Sequence, residues 1–212
     1  MQRQFLGSLC VGAALLVGVA AHASASPMTY EVLVDTTSMV GAGVFELDFQ
    51  LVDGGDGPTG TTVTLSNFGF GGGSAAGFPL TFGDASGDVA SSVTLNDTDF
   101  FNEFLQPFLP GSFLRFWVTS DTFIGGDPPD LFTAAFRDPD GFDILTTGFL
   151  SEFLSIAFVE GTPPIAAFGS APGASFSFDT PLVTPVPEPA SLALLGSGLL
   201  GLAARRRSRP QV

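Results

Sequence analysis

The sequence predicts an all-β protein, an antiparallel β-sandwich of jelly-roll type with one short helix, and three observations carry that reading. Apolar residues alternate with polar ones over several short runs, clusters of Gly, Pro and Asp separate the runs at short spacing, and helical periodicity is almost absent. No fixed-period repeat is present, which sets propellers and solenoids aside.

The first run is Tyr30-Glu31-Val32-Leu33-Val34-Asp35. The clearest follows, where Phe45, Leu47, Phe49 and Leu51 alternate with Glu46, Asp48 and Gln50, the pattern of a half-buried strand with an acidic outer face. Asp53-Gly54-Gly55-Asp56-Gly57-Pro58 then supplies turn chemistry before Thr61-Thr62-Val63-Thr64-Leu65-Ser66, and Gly71-Gly72-Gly73-Ser74 supplies it afterwards. Val89 to Leu95 reads as another strand. The one helix candidate is Thr98 to Gln106, in which Thr98 caps and Phe101, Phe104 and Leu105 share a face; Asn96-Asp97-Thr98 matches a glycosylation sequon but reads as the loop into that cap.

Phe113-Leu114-Arg115-Phe116-Trp117-Val118 and Phe153 to Val159 are nearly continuous apolar runs, expected to form central strands covered on both faces. Turn clusters Gly125 to Asp130 and Asp138 to Gly141 lie between them, and Ser175-Phe176-Ser177-Phe178-Asp179 closes the series as a last strand.

The chain has 212 residues, a net charge of −14 and no Lys, and the seven arginines are unevenly placed. Residues 26–185 hold 20 of the 21 acidic residues and only Arg115 and Arg137, a net charge of −18. Nucleic-acid binding needs clustered cations to neutralise phosphates, so no nucleic-acid partner is expected. The 23 Phe supply enough apolar surface for a core and argue against disorder.

Arg3, the apolar run from Leu9 to Ala20 and the small residues Ala21-His22-Ala23-Ser24-Ala25 form a secretory signal peptide with cleavage after Ala23 or Ala25. Lipidation at Cys10 is disfavoured, because Leu9 stands where a small residue is needed and apolar sequence continues beyond. Cleavage removes the single Cys and the single His, leaving no disulfide, thiol or imidazole.

At the other end, Thr184-Pro185-Val186-Pro187-Glu188-Pro189 reads as a Pro-rich spacer unable to donate to a sheet ladder. Ala190 to Ala204 is a short apolar helix, and Arg205, Arg206, Arg207 and Arg209 form a stop-transfer cluster. Fifteen helical residues cover roughly 22 Å, short of the ~30 Å hydrocarbon core, and span it with snorkelling arginines and local thinning. The positive-inside rule puts these arginines in the cytoplasm and the body outside. The division is therefore 1–25 signal peptide, 26–183 β-sandwich body and 184–212 sorting signal.

Val186-Pro187-Glu188-Pro189, the apolar helix and the terminal arginines together resemble a PEP-CTERM sorting signal. The resemblance implies an exported protein of an exopolysaccharide-producing Gram-negative bacterium. It implies as partners signal peptidase, the secretion translocon, the inner membrane transiently, and exosortase, a transpeptidase that would cut near Pro-Glu-Pro and pass the body to the cell surface or matrix. Thr29 to Thr36 followed by Phe45 to Gln50 also resembles one subgroup of such proteins, with no assigned activity.

Gly196-Ser197-Gly198-Leu199-Leu200-Gly201 fits G-x-G-x-x-G, but no strand precedes it and no acidic residue follows, so the dinucleotide reading fails on context; Ser197 and Gly201 instead stand at the small-xxx-small spacing of packed membrane helices. Asp138, Asp140 and Asp143, or Asp53 and Asp56, offer hard oxygen ligands for calcium, without the spacing of an EF-hand loop; ordinary turn use is the favoured reading. Nucleophile–base catalysis and catalytic zinc need His, Cys or Lys, which the mature chain lacks, and no carboxylate spacing points to a glycosidase pair. No catalytic residue and no cofactor are expected. The expected function is that of a non-enzymatic exported surface or matrix protein, with a carbohydrate-binding or calcium-dependent adhesive module of the exopolysaccharide matrix as the alternative. Against sugar binding stands the scarcity of Trp and Tyr, since Trp117 and Tyr30 are the only ones and both lie in strand patterns.

Overall fold

A computed structural model of the chain describes residues 27–55, 57–120, 127–159, 163–187 and 198–199. The described body is all-β and antiparallel, with a single 3-10 turn at Thr37–Met39. Its strands are β1 (Met28–Asp35), β2 (Phe45–Val52), β3 (Thr62–Gly69), β4 (Ser74–Ala75), β5 (Leu80–Phe82), β6 (Ala85–Asp88), β7 (Ser92–Asn96), β8 (Phe101–Leu109), β9 (Phe113–Ser120), β10 (Leu131–Arg137), β11 (Glu152–Ala157), β12 (Ile165–Ala167) and β13 (Leu182–Pro185). They form a six-stranded sheet, β13-β1-β9-β3-β7-β6, and a seven-stranded sheet, β12-β11-β10-β2-β8-β4, with β5 also pairing β8.

The core is an aromatic layer shared by the inner faces of both sheets. Phe49 of β2 reaches Phe116 of β9 edge-on at 5.5 Å between ring centroids, and Phe68 of β3 stacks on Phe116 at 5.7 Å. Phe136 of β10 stacks on Phe153 of β11 at 4.4 Å. Stacked and edge-to-face pairs at such distances contribute ~0.5–1.5 kcal/mol each beyond area burial, and this network absorbs most of the Phe content.

Residues 98–106 are not a helix. They turn over residues 97–100 and enter β8, which pairs with β2 in the register Phe49↔Phe104 and Asp48↔Leu105. The inward residues are Asn102, Phe104, Gln106 and Phe108, all buried. Two of those four are polar, which breaks the apolar alternation and leaves Phe101, Phe104 and Leu105 to imitate a helical face. The polar pair holds the β6 side in place: the Asn102 Oδ1 accepts from the Asp84 N–H at 2.8 Å, and the Gln106 Oε1 accepts from the Val89 N–H at 2.9 Å. Pro107 also sits within the strand. Its carbonyl accepts from the Ala76 N–H, so its missing N–H faces the gap between β4 and β5, where no ladder partner is needed.

Three further expectations change. Val89 to Leu95 is not one strand, because Asp88 accepts from the Ala90 N–H and turns the chain between β6 and β7. Ser175 to Asp179 forms no strand, and the chain bends at Ser175 and Phe176; its alternation instead seats Phe176 on Phe45 at 4.8 Å and Phe178 on Phe136 at 5.4 Å. β9 is central in its sheet but covered on one face only, with Leu114, Phe116 and Val118 buried while Arg115 is exposed and Trp117 half-buried.

Candidate functional site

The predicted sorting motif begins at a sheet edge. β13 pairs with β1 in the register Leu33↔Leu182, Val32↔Val183, Glu31↔Thr184 and Tyr30↔Pro185, and the Val186 N–H continues the ladder by donating to the Thr29 carbonyl at 2.8 Å. Thr184 and Pro185 are therefore part of the sheet rather than a spacer. Proline is accommodated because β13 is an edge strand: Val186 points its N–H at β1, so the neighbouring Pro185 points its donorless nitrogen outward. Val186 is half-buried and Pro187 exposed. Glu188, Pro189, Arg205, Arg206, Arg207 and Arg209, and the leader residues Ala23 and Ala25, lie outside the described residues. So does the predicted apolar helix, apart from Gly198 and Leu199; among the described residues no helix is long and apolar enough to cross a membrane.

The acidic residues singled out for calcium are drawn in different directions. The Asp138 Oδ1 accepts from the backbone N–H groups of Asp140 and Phe142, both at 3.0 Å, and its Oδ2 accepts from the Ser175 hydroxyl at 3.3 Å. Asp143, 55% exposed, faces Arg137 instead, and Asp140 is exposed. Asp53 caps its own turn through the Gly55 N–H at 2.8 Å, and Asp56 lies outside the described residues. Among the described residues no group of three or more His, Cys, Asp or Glu could hold a metal ion.

A charged cluster that sequence reasoning missed lies on the outer face of the seven-stranded sheet. The Arg137 guanidinium donates to the Asp48 Oδ2 at 2.6 Å and to the Glu103 Oε1 at 3.1 Å, and its Nε stands 3.4 Å from the Asp143 Oδ1. The Gln50 amide donates to both Asp48 oxygens at 3.1 Å. Asp48 is only 2% exposed. Burial pushes its carboxyl up to about 6, helped by the Glu103 charge and opposed by Arg137 and Gln50. Burial pulls the Arg137 guanidinium down, but its carboxylate partners outweigh it and hold the group above its ordinary value. The cluster spans residues 48 to 143, and sequence spacing carries no trace of it.

A second polar grouping lies on the outer face of the six-stranded sheet. Glu31 and Trp117 are direct cross-strand partners, and the indole N–H donates to the Glu31 Oε2 at 3.0 Å. Strand parity was the available signal: if Leu114, Phe116 and Val118 point inward, Arg115 and Trp117 must share the outside.

No curated protein and no solved structure matches the chain. The family model of the PEP-CTERM protein-sorting motif matches residues 185–207, which run from the last residue of β13 through the Pro-Glu-Pro sequence and the apolar segment into the arginine cluster. The chain thus carries a PEP-CTERM protein-sorting motif joined directly to the edge strand of an all-β body.

Proposed function

We propose that the chain is a non-enzymatic protein of the cell surface or extracellular matrix. In this reading a β-sandwich body is exported across the inner membrane of a Gram-negative bacterium behind a cleaved leader, anchored briefly by its C-terminal helix, and processed by exosortase at Pro-Glu-Pro. The observation that carries it is the sorting motif at residues 185–207. The residue inventory supports the non-enzymatic part, since the chain has no Lys and its one His and one Cys, His22 and Cys10, fall in the predicted leader. Mass spectrometry of the exported protein tests the processing step. The expected product ends near Val186 to Pro189, and an exported form retaining Arg205 to Arg209 would sink that step.

Carbohydrate binding on the same scaffold is a second reading, favoured by the polar grouping around Trp117. Its calcium-dependent form has no comparable support, because the candidate carboxylates serve turns and Arg137.

A further inference from the structure

We propose that the outer face of the six-stranded sheet carries a shallow saccharide site at Trp117 that takes one neutral pyranose unit of a polysaccharide. The proposal rests on the carbohydrate-binding reading and is independent of how the chain is sorted. Glu31, Asn67, Phe68, Arg115 and Trp117 line a cup of about 260 Å³. Sites for drug-sized ligands run to ~300–1,000 Å³, so a cup of this size suits a single ring.

The cup is made by an irregularity of β3. Its register against β9 shifts between Ser66 and Gly69, and Asn67 takes the left-handed conformation with φ of 53°. A bulge of this kind re-aims a side chain. Here Phe68 stays stacked on Phe116 of the core, while Asn67 stands exposed at the rim.

The chemistry left open in the cup matches a sugar. The Trp117 indole is held by its bond to the Glu31 Oε2, so little side-chain freedom is lost when something stacks on it. Among the described residues, the Glu31 Oε1, the Asn67 amide and the Arg115 guanidinium make no hydrogen bond or ion pair. The contrast with Arg137 is direct: of the two body arginines, Arg137 stands within 4 Å of three carboxylates, whereas Arg115, though it shares the cup with Glu31, forms no ion pair among the described residues. Arg115 donates, the Glu31 Oε1 accepts and Asn67 does both, which suits adjacent hydroxyls that each donate and accept. The indole supplies an apolar surface for the C–H side of the ring.

A protein partner fits less well, because interface hot spots sit in desolvated apolar surroundings, whereas Trp117 is flanked mostly by polar outward residues, Thr29, Glu31, Thr64, Ser66 and Thr119, with the apolar Leu33 and Phe113 confined to the Arg115 side. A polyanionic glycan is disfavoured by the −18 charge of the body and by Glu31 and Asp35 on the adjacent strand.

The chain contains one Trp, so indole fluorescence reads this cup alone. The test is titration of the full chain in detergent micelles with cellohexaose, mannohexaose and galactohexaose, and with hexagalacturonate as the anionic comparison. The expected result is a saturable emission change with at least one neutral hexaose, half-complete at or below about 1 mM. Arg115→Ala and Asn67→Ala should each weaken it at least about tenfold. Ser92→Ala, on β7 of the same sheet outside the cup, should leave it unchanged. Silence with all three neutral sugars overturns both the site and the carbohydrate reading. A response to hexagalacturonate alone overturns the neutral assignment. Neutral binding undiminished in both cup variants, or lost in Ser92→Ala, overturns this site while leaving the carbohydrate reading in place.

Discussion

Replacing Asp48 by Asn should flatten the pH dependence of stability. In the unfolded chain this carboxyl ionises near its ordinary 3.8, whereas in the fold burial delays ionisation to about 6. The unfolded state therefore releases the proton first as pH rises. The stability associated with Asp48 is fully present below about 4 and is lost as pH climbs through about 6. At ~1.4 kcal/mol per pH unit, the interval from 3.8 to about 6 amounts to roughly 3 kcal/mol. Asn imitates the protonated carboxyl, so wild type and variant should track each other below pH ~4, part between ~4 and ~6, and stay apart above that, with the variant the more stable. Urea denaturation of residues 26–187 across this range measures the effect; at ~1–3 kcal/mol per molar urea the midpoints should part by ~1–3 M at pH 8. A gap between the two curves that stays constant with pH would refute the reasoning, whatever its size.

Two further substitutions probe the core and its polar supports. Phe49→Ala removes the ring that touches Phe68, Phe104, Phe116 and Phe132, and should cost ~3–5 kcal/mol in the same urea assay. Asn102→Ala strips the bonds to the Asp84 N–H and the Leu51 and Asp99 carbonyls, and should cost ~1–3 kcal/mol. It should also speed amide exchange at Asp84 selectively, which hydrogen-exchange NMR would detect.

The elements most legible in the sequence were those whose inward positions are all apolar. β2 buries Phe45, Leu47, Phe49 and Leu51, and its alternation gives both the strand and its facing. β8 hid because Asn102 and Gln106 occupy inward positions for reasons that lie in other strands, namely the backbone N–H groups of Asp84 and Val89. β10, with Phe132, Ala134 and Phe136 inward and Thr133 and Ala135 outward, lacks polar–apolar contrast and was passed over. The sorting motif was readable because its three parts are contiguous in the chain and are recognised as a string. The Trp117 cup and the Arg137 cluster were not, because each gathers residues from separate strands, and register decides which side chains meet.

If the apolar segment anchors the precursor in a bilayer, as proposed above, the pairing of Val186 with Thr29 sets how high the body can stand above it. Only Pro187, Glu188 and Pro189 separate that last ladder bond from Ala190, where the apolar segment begins. Fully stretched, the four steps from Val186 to Ala190 reach at most about 14 Å. An enzyme cutting within Pro-Glu-Pro must therefore work in a gap thinner than a small domain, with the start of β1 beside it. The leash is too short for the body to swing clear, so the approach is governed by the shape of the sheet edge as well as by the letters of the motif.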